Sequence, residues 1–205
     1  MFLDSGDIIV QKDLSVIYFY DIKNNYFGWI LENCAGNYLK YSFDKFMTNN
    51  FHPNAGVFLV NIRLFRKDEL YKKAVFLGKS YYRLICPIQD ILITIANYRF
   101  QFFPLNFNIY LYDKNEKSKI ETKKKTSIDI WLEDQKYSPY KYTKEEIYDA
   151  ISDPVILHFY KGKLQEKREC NKYVLQWLEY AKISGKYEDL KLKYPNPFNC
   201  LKYLN

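Results

Sequence analysis

Met1-Phe2-Leu3-Asp4-Ser5-Gly6-Asp7-Ile8-Ile9-Val10 opens the chain with two carboxylates around a glycine, set between two apolar stretches. Taken as strand, turn and strand, this segment puts acidic oxygens on a tight turn at the end of a short buried strand. α/β enzymes use that arrangement to hold a divalent metal against a phosphate. Residues i and i+3 of a straight strand point to opposite faces, so Asp4 and Asp7 reach one ion only if the backbone turns between them. Gly6 permits that turn, because it adopts positive φ at no steric cost. Oxygen ligands of this kind suit Mg2+ or Mn2+ rather than zinc. The competing reading is an Asx-type turn that holds no ion.

Downstream, strand and helix signals alternate. Residues 26–31 (YFGWIL) are rich in aromatic and branched side chains and read as a strand. Pro53-Asn54-Ala55-Gly56 reads as a turn leading into Val57-Phe58-Leu59-Val60, apolar on both faces as a covered central strand should be. Residues 63–79 switch to helical spacing. Pro87 opens a further helix whose expected buried stripe is Ile88, Ile91, Leu92 and Ile95. Thr143 and Glu146 stand at capping-box spacing before a short helix that Asp153-Pro154 ends. Val155-Ile156-Leu157 is then a buried strand delivering His158, and residues 171–183 form an amphipathic helix. This alternation predicts an α/β fold with a largely parallel sheet.

Composition bounds the function classes. The chain has 205 residues, enough for one domain or a domain with an appendage. No apolar run approaches the roughly 18 residues of a membrane span, and no basic-then-apolar leader precedes the fold. Cys34, Cys86, Cys170 and Cys200 are scattered without a CxxC pair, which predicts reduced core residues and no zinc site. A net charge of +7 and 19% aromatic residues invite a nucleic-acid reading. Lys, Asn, Ile and Tyr are abundant together, however, as AT-rich coding would give. No stacking motif or basic helix stands out, so no nucleic-acid partner is expected. The lysine-rich residues 114–125 read as a solvated loop. His52 reads as a loop residue, and His158 as either a metal ligand or a hydrogen-bonded strand-end histidine. Neither has a Ser or Cys partner that would suggest a hydrolase triad.

The ordered segments FLDSGDIIVQKDLS, PNAGVFLVNI, PIQDILITIANY, FFPLNFN and DPVILHFYKGK together resemble glycosyltransferase family 8. The resemblance runs from the first residues to about Lys167. It implies a GT-A, Rossmann-like fold with a mixed, mostly parallel sheet, flanking helices and a C-terminal helical tail. Residues 1–167 would form a partial glycosyltransferase domain, and residues 168–205 the basic, aromatic tail. The implied activity is retaining transfer of a hexose from a UDP-sugar to a cell-surface glycan or lipopolysaccharide acceptor.

The resemblance also implies roles. Asp4, Asp7 and His158 would bind Mn2+ or Mg2+ bridging the donor diphosphate. Lys163, with Gly162 beside it, would neutralise the departing diphosphate. Asn54 would bond sugar hydroxyls, and Gly56 would let the donor approach. Gln89 would lie under the anomeric carbon with Asp90 next to it, the two as catalytic residues. Three positions depart from the family pattern: the turn is D-x-x-D rather than D-x-D, Ile88 replaces an aspartate, and Leu164-Gln165 replace Pro-Trp. The family's N-terminal nucleotide-binding half has no counterpart in these segments, so impaired catalysis is expected. The alternative is a non-catalytic remnant or interaction domain. Lysines interleaved with Trp177, Tyr180, Tyr187, Tyr194 and Phe198 suggest a cytoplasmic protein peripheral on the inner face of the membrane. Packing of this segment on the sheet is the competing expectation.

Overall fold

The acidic segment folds as two short strands that do not pair with each other. β1 (Phe2–Leu3) and β2 (Ile8–Val10) are separated by the turn of residues 4–7, and each joins a different sheet. This is a computed structural model, and it describes residues 1–31, 53–80, 87–111, 128, 129, 132, 135, 141–159 and 172–199. Cys34, His52, Cys86, residues 114–125, Gly162, Lys163, Cys170 and Cys200, on which the sequence raised expectations, lie outside the described residues.

The first sheet holds four strands in the order β1, β4 (Pro53–Val60), β3 (Phe27–Leu31) and β5 (Phe100–Phe102). The second holds β2, β7 (Ile156–Phe159) and β6 (Ile109–Leu111). β4 runs antiparallel to both β1 and β3, and β2 antiparallel to β7, while β3–β5 and β6–β7 are parallel. The α/β class and the mixed sheet are therefore as expected, but parallel pairs are not in the majority among the described residues. Alternation of strands and helices establishes the class without fixing the direction in which neighbouring strands run.

Period-two alternation along β3 and β4 sorts the apolar residues into two cores. Phe27 and Trp29 face one way and pack with Phe58, Val60, Leu70, Ile93 and Ala96. Ile30, Val57 and Leu59 face the other way and join Ile109, Ile147, Ile156, Val174 and Leu178. A strand covered on both sides is apolar on both faces, which is why no polar alternation marks residues 57–60 of β4. Gly28 is required by this packing, because a Cβ there would stand 2.4 Å from the Phe103 ring.

The helices mostly begin where their signals stand. α1 (Ser15–Tyr18) is a single short turn. Residues 63–79 divide into α2 (Ile62–Lys67) and α3 (Leu70–Ser80), a break that no Gly or Pro announces. Glu69 takes φ 51° at the break. The Asp68 carboxylate beside it accepts from Tyr26 Oη at 2.5 Å and from Arg99 Nη1 at 3.3 Å. α4 (Pro87–Ala96) starts at its proline, but its buried face is Asp90, Ile93, Ile95 and Ala96. Ile88, expected in the stripe, is 64% exposed instead. A helix covered along one side rotates to the face its neighbours fill, here α3 and β4.

α5 (Lys144–Ser152) carries the expected capping box, in which Thr143 and Glu146 each accept from the other's backbone N–H. α6 (Lys172–Ile183) buries Val174, Leu178 and Ala181, the first two in the core that includes Ile156. Trp177 and Tyr187 pack edge-on against Phe198, drawing α7 (Tyr187–Lys193) and α8 (Pro195–Phe198) onto α6. Three of the rings singled out in the C-terminal segment are thus turned inward.

Candidate functional site

The two sheets meet at Gly56. The Asp4 N–H donates to the Gly56 carbonyl at 2.6 Å, fixing the start of the acidic turn to β4. The Phe159 N–H donates to the Asp7 carbonyl at 2.8 Å, fixing its end to β7, where Ile8 pairs with His158. The sequence thus builds its turn between two anchors, one in each sheet.

This register brings Asp7 and His158 together. Their side chains approach with Asp7 Oδ1 3.4 Å from His158 Nε2. His158 is buried, and its imidazole fills the space where a side chain at residue 56 would begin: a Cβ there would lie 2.4 Å from His158 Cε1. Only glycine leaves room for the ring. Gly56 therefore accommodates the histidine.

Behind the imidazole lies a relay of buried amides. His158 Nδ1 stands 2.9 Å from Asn108 Oδ1, Asn108 Nδ2 donates to Asn54 Oδ1 at 2.7 Å, and the Gly56 N–H donates to the same Asn54 oxygen at 2.8 Å. Asn54, Asn108 and His158 are all buried. Asn54 sits within β4, not in a turn before it, and its side-chain oxygen is committed to this relay. Asn108 lies between a 3-10 turn (Leu105–Phe107) and β6. It ends the segment FFPLNFN that the family resemblance rests on, but the sequence reading gave it no role.

The acidic side of the site is furnished differently. Among the described residues Asp7 Oδ1 is buried without a hydrogen-bond partner, and at 3.4 Å its approach to the imidazole is not a hydrogen bond. Asp4 is exposed, and its Oδ1 accepts from the Ser5 N–H at 2.8 Å. No three His, Cys, Asp or Glu groups form a metal-holding cluster among the described residues. The structure thus joins Asp7 to His158 and leaves Asp4 beside the pair. A buried carboxylate oxygen facing an imidazole nitrogen nonetheless fits a divalent cation, because both are atom types that ligate such an ion.

Gln89 and Asp90 lie in the first turn of α4. Gln89 Nε2 donates to the Pro53 carbonyl at 3.2 Å, tying α4 to the residue before Asn54. Asp90 is buried, and its carbonyl accepts from Thr94 Oγ1 at 2.7 Å. Gln89 is thus at the margin of the relay, and Asp90 on the packed face of its helix.

A sequence model described as Glycosyl transferase family 8 matches residues 1–164. Comparison with curated protein sequences gives no match. Among solved structures, the chain is similar to the apo form of the bifunctional glycosyltransferase WbbM, with 17% identity and a TM-score of 0.58. That match covers 96% of this chain and 33% of the other. The galactosyltransferase LgtC, solved with donor and acceptor sugar analogues, gives 18% identity and a TM-score of 0.52, covering 80% of this chain and 53% of its own. The glycosyltransferase GlyE of Streptococcus pneumoniae gives 18% identity and a TM-score of 0.52, covering 85% and 37%. The chain thus spans about a third to a half of the length of these proteins.

Proposed function

The chain belongs to glycosyltransferase family 8, and on that premise we propose that it takes part in hexose transfer from a UDP-sugar, UDP-glucose or UDP-galactose, to a surface glycan or lipopolysaccharide acceptor with retention. In that reaction the bond between the anomeric carbon and the phosphate oxygen breaks. The acceptor hydroxyl oxygen forms the new bond as its O–H bond breaks, and UDP leaves with the bonding electron pair and takes up the acceptor's proton on its departing phosphate oxygen. A divalent ion, Mn2+ or Mg2+, supplies Lewis-acid stabilisation of that charge when bound.

One observation carries the proposal: Asp7 Oδ1 is buried, has no hydrogen-bond partner among the described residues, and faces His158 Nε2. An unsatisfied buried carboxylate oxygen costs about 1–3 kcal/mol and is retained where a ligand satisfies it. Asp7 and His158 hold the ion in this reading, and Asp4, exposed on the same turn, completes the set. Gln89 and Asp90 orient the sugar, Asn54 contributes to its pocket, and Lys163 with Gly162 neutralises the departing diphosphate.

The test is a titration of UDP by calorimetry with and without Mn2+, on the unaltered chain and on Asp7→Ala. UDP binding that needs Mn2+ and is lost in the variant is the expected result. Absence of UDP binding at any Mn2+ concentration would overturn donor use by this chain and favour a non-catalytic interaction domain.

Among the described residues no helix is long and apolar enough to cross a membrane. For the acceptor we propose a lipid-linked glycan met at the inner face of the membrane by a cytoplasmic protein. Ile183 and Leu192 support this reading, being 79% and 84% exposed beside Lys182 and Lys191. Co-sedimentation with anionic vesicles that falls in Ile183→Ser/Leu192→Ser is expected. Equal sedimentation of the two proteins would remove the membrane from the proposal.

A further inference from the structure

We propose that Asn108 is a positioning residue that fixes the tautomer of His158, so that Nδ1 carries the proton and Nε2 presents its lone pair to Asp7. The inference rests on the metal reading above only for its consequence, since the tautomer itself follows from the hydrogen bonds. A backbone N–H can only donate, so the Asn54 atom that meets the Gly56 N–H at 2.8 Å must be its oxygen. That oxygen is an acceptor, so the Asn108 atom 2.7 Å away must be the amide nitrogen. The other end of the Asn108 amide is then its oxygen, 2.9 Å from His158 Nδ1, and that nitrogen must be the donor. In a neutral imidazole with a protonated Nδ1, Nε2 is an acceptor.

The direction of the relay is therefore set by the backbone of β4 and transmitted through two buried amides to the ring. Each step is enclosed, which keeps water from offering either amide another partner. The outcome is two acceptors, Asp7 Oδ1 and His158 Nε2, facing each other across 3.4 Å. The opposite tautomer would put an N–H between them and satisfy the carboxylate from within the protein. Asn108 thus holds the pair in the form that a cation completes. It acts from behind the ring, as outer-shell partners of metal-ligating histidines commonly do.

The test reads the ring directly. Long-range 15N–1H NMR of the neutral imidazoles, with the two histidines told apart by a His52→Gln variant, should show a pyrrole-type Nδ1 and a pyridine-type Nε2 for His158 in the metal-free chain. Asn108→Leu should move that signal towards the Nε2-protonated form and weaken Mn2+ binding by about 10–100-fold. Asn54→Leu should give a mixed population, because the Asn108 amide can then flip. Asn54→Asp should keep the unaltered pattern, because a carboxylate still accepts from both donors. A retained fold, checked by the melting transition, makes these comparisons valid, and the Asn54 pair answers the question even where Asn108→Leu does not fold.

A predominantly Nε2-protonated His158 in the unaltered chain would overturn the proposal. So would an unchanged tautomer in Asn108→Leu and Asn54→Leu. A chain that shows the expected tautomers but binds no Mn2+ would refute the metal reading alone.

Discussion

Asp7 and Asp68 have nearly the same side-chain exposure, 29% and 30%, yet the fold treats them in opposite ways. Asp68 accepts from the Tyr26 hydroxyl and lies against the Arg99 guanidinium, which also stacks over the Tyr26 ring with its centre 4.1 Å from the ring centroid. Those contacts join the break between α2 and α3 to the start of β5. Asp7 Oδ1 has no hydrogen-bond partner among the described residues and, with the tautomer proposed above, faces an imidazole nitrogen that offers it no proton. A carboxylate that serves the fold is satisfied from within it, whereas one left short has to be completed from outside.

The largest effect is expected at the point where the sheets meet. Gly56→Ala would push a methyl group to within 2.4 Å of His158 Cε1, and the ring must leave its place between Asn108 and Asp7. Overpacking of this kind costs about 1–3 kcal/mol, and loss of Mn2+-dependent thermal stabilisation should accompany it. If Gly56→Ala kept both its Tm and its response to Mn2+, the ring would be loosely held and the rigid half of the site would not exist.

The paired asparagine substitutions come next, and they should differ in sign. In Asp7→Asn the new amide can donate to His158 Nε2, so the metal-free protein should gain about 1 kcal/mol while losing its Mn2+ response. Asp68→Asn weakens the contacts to Tyr26 and Arg99 and should lower Tm without touching the response to Mn2+. Melting curves of both variants with and without Mn2+ decide the matter. Destabilisation of the same size in both would mean that Asp7 is an ordinary structural carboxylate.

How much of this was legible in the sequence follows from range. The capping box at Thr143 and the proline that opens α4 act within one helical turn, and each stands where its residues put it. Asp7 and His158 were identifiable one at a time, as an acid after a glycine and a histidine after an apolar strand. Asn108 was not, because its role depends on β4, β6 and β7 meeting, and its partners lie 54 and 50 residues away in sequence. The rotation that exposes Ile88 and the break at Asp68 are also tertiary effects, the first set by packing on α3 and β4 and the second held by Tyr26 and Arg99 from elsewhere in the chain.

Asp4→Ala should have a smaller effect than Asp7→Asn. Asp4 is exposed and among the described residues its side chain accepts only from the Ser5 N–H, so its removal should leave the metal-free Tm almost unchanged. Its contribution appears only when the ion is present, as weaker Mn2+ binding in calorimetry. A loss as large as that of Asp7→Ala would make the exposed carboxylate an equal ligand. The site would then depend on a rearranged turn rather than on the buried pair.

The smallest effect is the acid response of Asp68. Its carboxyl is held below its ordinary 3.8, first by the Tyr26 hydrogen bond and also by the charges of Arg99 and Lys67. A folded-state value below the unfolded one contributes stability above the unfolded value, and that stability is lost as pH falls through the folded value. The unaltered chain should therefore lose this part of its stability below about pH 4. Tyr26→Phe removes the first cause of the shift, so its stability should fall less steeply over the same window while its Mn2+ response stays intact. If the two proteins trace parallel curves of Tm against pH, Tyr26 is not what holds Asp68, and Asp68 no longer serves as the self-satisfied carboxylate against which Asp7 is judged.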